Sequence, residues 1–144
     1  MAHPVQITFD CSDVRRLSQF YIEALHYKMM DPPDGFATWE AALDGWGVPR
    51  EEWDDGAHII DLEGKGPRIY FQRLDTPKPG KNRLHIDVTV SGGRKVPLDE
   101  RRRRIDAEAQ RLLALGATKE YALDEDQHYS VTLSDPEGNE FCLN

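Results

Sequence analysis

LHIDVTV, residues 84–90, alternates without a break between apolar and polar side chains. Leu84, Ile86, Val88 and Val90 fall on one face, and His85, Asp87 and Thr89 on the other. A period of two marks a half-buried β-strand, because successive side chains point to opposite faces of a sheet. The apolar face needs only a core to pack on. The polar face sets a histidine beside a carboxylate, and the rest of the chain has to say what they are for.

Downstream, SGGRKVP reads as a loop and LDERRRRIDAEAQRLLALGA (98–117) as a helix. Ile105, Ala109, Leu112 and Leu113 form its apolar stripe and Gly116 its C-terminal stop. TKEYAL, HYSVTLSD and EFCLN follow as strands, with DPEGN as the turn before the last. Upstream, TPKPGKN (76–82) is a proline-glycine linker, and before it the same order of elements occurs once already. VQITFD alternates, Ser12 or Asp13 can cap a helix through VRRLSQFYIEALHY, and HYKMMD, HIIDLEG and RIYFQRLD read as strands. The chain is therefore expected to be one domain, 1–144, of two strand-helix-strand-strand-strand modules, 1–75 and 83–144. The halves share a pattern and almost no identity.

The first module carries an insert at 32–56 that holds all three tryptophans, Trp39, Trp46 and Trp53, seven residues apart. Two short helices separated by GWGV fit it better than one, since Pro49 suits a first helical turn and not an interior. Tryptophan suits the wall of a ligand pocket, and Trp46, between two glycines, is the one expected to face ligand.

The polar strand faces carry the other candidates: Gln6, Thr8 and Asp10 on the first strand, Tyr70 and Gln72 on the fourth, His128 on the seventh, and Glu140 and Cys142 on the last. One helix per module covers one face of its sheet, so the other face is solvated or lines a polar cavity. Histidine is the side chain suited to proton transfer near neutral pH, which makes His85, oriented by Asp87, and His128 the candidate acid/base groups. Cys142 is a space-filling residue, or a nucleophile if a histidine activates it.

Bulk properties exclude other classes. The net charge of −8 argues against nucleic acid and anionic membranes as partners. The basic run Arg101 to Arg104 sits among acids and reads as a solvated helix face. Two cysteines are too few for a disulfide framework, no zinc-finger spacing occurs, and no apolar run reaches membrane-spanning length. The N-terminus has no signal-peptide pattern, so a cytoplasmic location is expected.

DVRRLSQFYIEAL, KNRLHIDVTV and above all DPEGNEFCL resemble the vicinal oxygen chelate superfamily, and within it the glyoxalase-like domain family of glyoxalase, bleomycin-resistance and dioxygenase relatives. The resemblance covers nearly the whole chain. It implies an α+β fold of two βαβββ modules whose sheets form an open curved β-barrel, helices outside, with the polar faces lining the concavity. It also implies four metal-ligand positions, which fall here on Gln6, Gln72 (Tyr70 in a shifted register), His85 and Cys142. Metal-dependent members carry His or Glu there, and neutral amides are poor ligands for zinc, nickel or iron. No resident metal or other cofactor is expected, and glyoxalase I activity is not. If a divalent ion binds, His85 with Cys142, Gln6 and Gln72 is the expected set.

Three functions remain open on these grounds. One is an enzyme of lyase or isomerase type acting on a small oxygenated or electrophilic molecule, with His85 as its centre. Another is a drug- or metabolite-sequestering protein without chemistry. The third is a retained fold serving as a dimeric partner module. The resemblance implies a homodimer, with the drug-binding members binding at the dimer cleft.

Overall fold

The computed structural model describes residues 3–144. The chain divides into two compact units, Met1–Pro77 and Lys78–Asn144. The first holds β1 (Gln6–Cys11), α1 (Val14–Leu25), β2 (Tyr27–Met29), α2 (Trp39–Gly45), a 3-10 turn at Arg50–Glu52, β3 (Gly56–Asp61) and β4 (Arg68–Arg73). The second holds β5 (Asp87–Val88), α3 (Leu98–Ala114), β6 (Thr118–Glu125), β7 (His128–Ser134) and β8 (Glu140–Leu143). Strand order is β1-β4-β3-β2 in one sheet and β5-β8-β7-β6 in the other. In each, the first strand runs parallel to the last and the remaining pairs are antiparallel. The fold is α+β, two βαβββ modules with one four-stranded sheet each.

Local chemistry explains where the elements stop. Asp13 caps α1 by accepting from the Arg16 N–H at 2.9 Å. The helix ends at Leu25, two residues before the end of the VRRLSQFYIEALHY stretch expected to be helical, because His26 adopts the left-handed conformation (φ 56°) and returns its N–H to the Ile22 carbonyl. The insert does form two short pieces, with Thr38 capping α2 and Pro49 opening the 3-10 turn. Gly116, at φ 107°, turns the chain out of α3 into β6, a geometry that disfavours any side chain.

The decisive stretch differs from its reading at one end. Ile86, Val88 and Val90 are half-buried and His85, Asp87 and Thr89 exposed, as the alternation requires. Leu84, however, is 71% exposed. The β8 ladder begins at Glu140, and with Asp87 opposite Cys142 the position facing Leu84 already lies in the DPEGN turn. Only Asp87 and Val88 pair as strand residues, with further backbone bonds from Cys142 N–H to Ile86 and from Val90 N–H to Asn144.

Each module buries its own core. Phe9, Tyr21 and Phe71 stack with ring centroids 4.8 to 5.9 Å apart, beside buried Leu17, Ile59 and Ile69. Ile105, Ala109 and Leu112 of α3 are buried in the second unit, as are Val131, Leu133, Phe141 and Leu143. The basic run is spent locally. Arg103 and Arg104 bind Glu100, while Arg102 binds Asp99 and Asp124. The proline-glycine segment is not free-standing either, because Lys78 and Asn82 are both bonded to Glu140.

Candidate functional site

In the second unit, strand pairing gathers three of the expected residues. β5 and β8 are parallel neighbours with Asp87 opposite Cys142, and His85 lies two residues before Asp87 on the same face. The His85 Nε2 to Asp87 Oδ1 distance is 3.3 Å, and one donor atom each from His85, Asp87 and Cys142 lie within 4.8 Å of one another. The His85 and Asp87 side chains are 49% and 55% exposed. Thr132 of β7, opposite Cys142, approaches the thiol at 3.3 Å. The result is a small polar centre of imidazole, carboxylate, thiol and hydroxyl, open to solvent.

His128 does not join it. It is exposed at the start of β7, and four residues of strand, about 13 Å, separate it from Thr132. Glu140 is half-buried and committed: it accepts the Asn82 N–H at 2.9 Å and pairs with Lys78. The Asn82 bond, ahead of other effects, holds its carboxyl below the usual range.

In the first unit the register of β1 on β4 sets Gln6 opposite Arg68, Thr8 opposite Tyr70 and Asp10 opposite Gln72. Arg68 donates to the Gln6 amide oxygen at 2.6 Å, and Gln72 donates to Asp10 at 2.7 Å. Gln6 also reaches the Thr8 hydroxyl at 3.4 Å. Tyr70 stacks on His58 of β3 at 4.4 Å between centroids. A side chain at Gly56 would meet the Tyr70 hydroxyl at 2.7 Å, so glycine there leaves the phenol its place.

These contacts test the four-ligand metal pattern. Both first-unit positions are amides tied to charged neighbours, and the Gln6 oxygen that would face a cation already accepts from a guanidinium. That half of the pattern does not fit a divalent ion. His85, Asp87 and Cys142 are the residues that could hold one, with a donor set acceptable to zinc. Their atoms would have to draw in toward the roughly 3.5 Å spacing that ligands around zinc adopt.

The first unit also contains a cavity of about 930 Å³ between α1, the insert and the start of β3. Met29, Met30, Trp39, Leu43 and Trp53 supply apolar wall, with His58 and Tyr70 among the polar lining. Burial, then Arg68, lowers the His58 pKa, which favours its neutral form. Trp46 is not part of the lining. It is 54% exposed and packs edge-on against Phe36 and Trp39. Trp39 and Trp53, rather than the Trp46 expected to face ligand, line this cavity, and Trp46 stands exposed just past the C-terminus of α2. His58 and Arg68 were missed altogether. The one available signal was that both alternate with buried isoleucines, Ile59 and Ile69, on strands already read as two-faced.

A family model described as glyoxalase-like domain matches residues 6–144. No curated protein matches the chain. Solved structures do, over nearly its full length. The fosfomycin resistance protein FosX from Listeria monocytogenes, as a mutant complexed with Mn(II) and 1S,2S-dihydroxypropylphosphonic acid, is 13% identical with a TM-score of 0.64, covering 100% of this chain and 90% of that one. A glyoxalase/bleomycin resistance protein/dioxygenase family enzyme from Burkholderia phytofirmans PsJN is 17% identical at 0.60, with coverage of 96% and 94%. A possible glyoxalase from Bacillus cereus is 12% identical at 0.61, with coverage of 99% and 98%. Likeness at this identity speaks to the fold alone. The family match across all eight strands and the paired βαβββ topology together place the chain in the glyoxalase-like domain family of the vicinal oxygen chelate superfamily.

Proposed function

We propose that this protein handles a small organic molecule at the polar face of β5 and β8, with His85 as its acid/base group and without a resident divalent metal. The observation that carries the reading is the convergence of His85, Asp87 and Cys142 within 4.8 Å on adjacent strands. The Asp87 carboxylate lies 3.3 Å from the imidazole Nε2, close enough to orient the ring. Cys142 offers a thiol beside it, with Thr132 in contact. A carbonyl or hydroxyl placed here would find a proton donor and acceptor without a Lewis acid. FosX binds Mn(II) on a similar fold. Here the Gln6–Arg68 and Gln72–Asp10 bonds favour a polar site without that ion.

The test is a thermal-shift screen of small oxygenated and electrophilic metabolites against wild type, His85→Ala and Asp87→Asn. Compounds that stabilise the wild type are expected to lose their effect in His85→Ala. The unliganded melting temperature should stay within about 3 °C, because a half-exposed pair contributes under about 1 kcal/mol. Equal stabilisation of both proteins by every hit would remove His85 from the site.

A second reading, binding without chemistry, is favoured by a separate observation. The first-unit cavity has the size of a drug-binding pocket and an aromatic wall.

A further inference from the structure

We infer that the cavity walled by Trp39 and Trp53 takes an organic cation, an amine or quaternary ammonium group carried on an aromatic or alicyclic body. The inference rests on the reading of that cavity as a binding site and names its ligand class.

Charge is the first ground. Asp31, Glu40, Glu52, Asp54 and Asp55 line the cavity against one guanidinium, Arg15. Three of these carboxylates already have basic partners: Asp31 with Lys28 at 2.5 Å, Asp54 with Arg15 at 2.6 Å, and Asp55 with Arg73 at 3.6 Å. Among the described residues Glu40 and Glu52 make no ion pair within 4 Å, and Glu40 acts on Arg15 only through its more distant field, behind Asp54. An anion would find only Arg15, whose Nε is already bonded to Asp54.

The indoles are the second ground. Trp39 donates its ring N–H to the Met30 carbonyl at 2.6 Å, and Trp53 donates to Val48 at 2.9 Å. With both indole N–H groups spent, what the two rings have left to offer a ligand is π surface, which suits a cation. Trp53 already attracts one cation, since the Arg50 guanidinium sits 5.3 Å from its ring centroid. Met29 and Met30 add polarisable, adaptable surface to the same wall.

The experiment titrates the full chain with three probes of similar size: benzyltrimethylammonium, phenylacetate and benzyl alcohol. Tryptophan fluorescence and calorimetry follow binding up to about 10 mM. Benzyltrimethylammonium is expected to bind saturably and about tenfold or more tighter than the other two. The double variant Glu40→Gln, Glu52→Gln should weaken the cation about tenfold, leave benzyl alcohol unchanged and hold its melting temperature, because both side chains are exposed. Equal affinity for all three probes, or cation affinity unchanged in the double variant, would overturn the cation assignment while leaving the cavity a binding site. No saturable response to any probe would overturn both.

Discussion

His85 and Asp87 sit 3.3 Å apart with about half of each side chain in solvent. A buried, self-satisfied network would explain such a pair by the cost of leaving polar groups unbonded. Exposure removes that explanation, and an exposed ion pair contributes little to stability. The pair is thus accessible on the strand face, as the proposed contact with a small molecule requires. Its adjacency was legible from the sequence, because residues two apart on a strand share a face. Cys142 was legible as well, counted forward from the DPEGN turn. The Gln6–Arg68 bond was not, since it depends on the register of strands 62 residues apart. At the same scale Tyr129 supplies a pH prediction. Burial first, then its hydrogen bond to Asp106, pushes its hydroxyl up to about 12. Because the folded pKa lies above the unfolded one, Tyr129 contributes stability that is whole below about pH 10 and lost as pH rises toward 12. An ultraviolet titration should therefore show a late-ionising tyrosine that disappears in Tyr129→Phe. A titration unchanged by that substitution would contradict the assignment.

Among the elements, the strands and helices followed from periodicity and the departures have local causes. α1 stops early at a left-handed histidine, β5 pairs only where β8 exists to receive it, and β6 runs two residues past its apparent end into an exposed edge. The insert was legible as two short helical pieces because Pro49 forbids one long helix. Its cavity was not, because the seven-residue spacing of the tryptophans says nothing of which ring turns inward. The β7–β8 turn is the element that fixes Cys142 in place. Asp135, 3% exposed, accepts from the backbone N–H groups of Glu137 and Asn139 at 2.8 and 3.0 Å and from the Asn139 amide at 2.9 Å. Asp135→Ala leaves those donors unpaired and should cost about 2–4 kcal/mol. The urea midpoint should fall without a change in slope, and Asp135→Asn should recover part of the loss. A midpoint within error of wild type would show that the turn is held by other contacts.

For the molecule as a whole, the fold was the secure part of the sequence reading and the site the weaker one, for a physical reason. A repeated βαβββ pattern needs only polarity at many positions, so single errors average out. A site needs the identity and partner of a few side chains. The family match fixes the architecture, and structures 12 to 17% identical share it. Of the four metal-ligand positions that the resemblance implies, His85 keeps the expected type, and Gln6 and Gln72 carry amides already bonded to Arg68 and Asp10. The most direct test is the metal content of untagged protein, with thermal shifts against manganese, nickel and zinc in wild type and His85→Ala. The account predicts well under one equivalent of metal and no shift that depends on His85. Near-stoichiometric metal that is lost in His85→Ala would contradict it and make His85, Asp87 and Cys142 a metal centre.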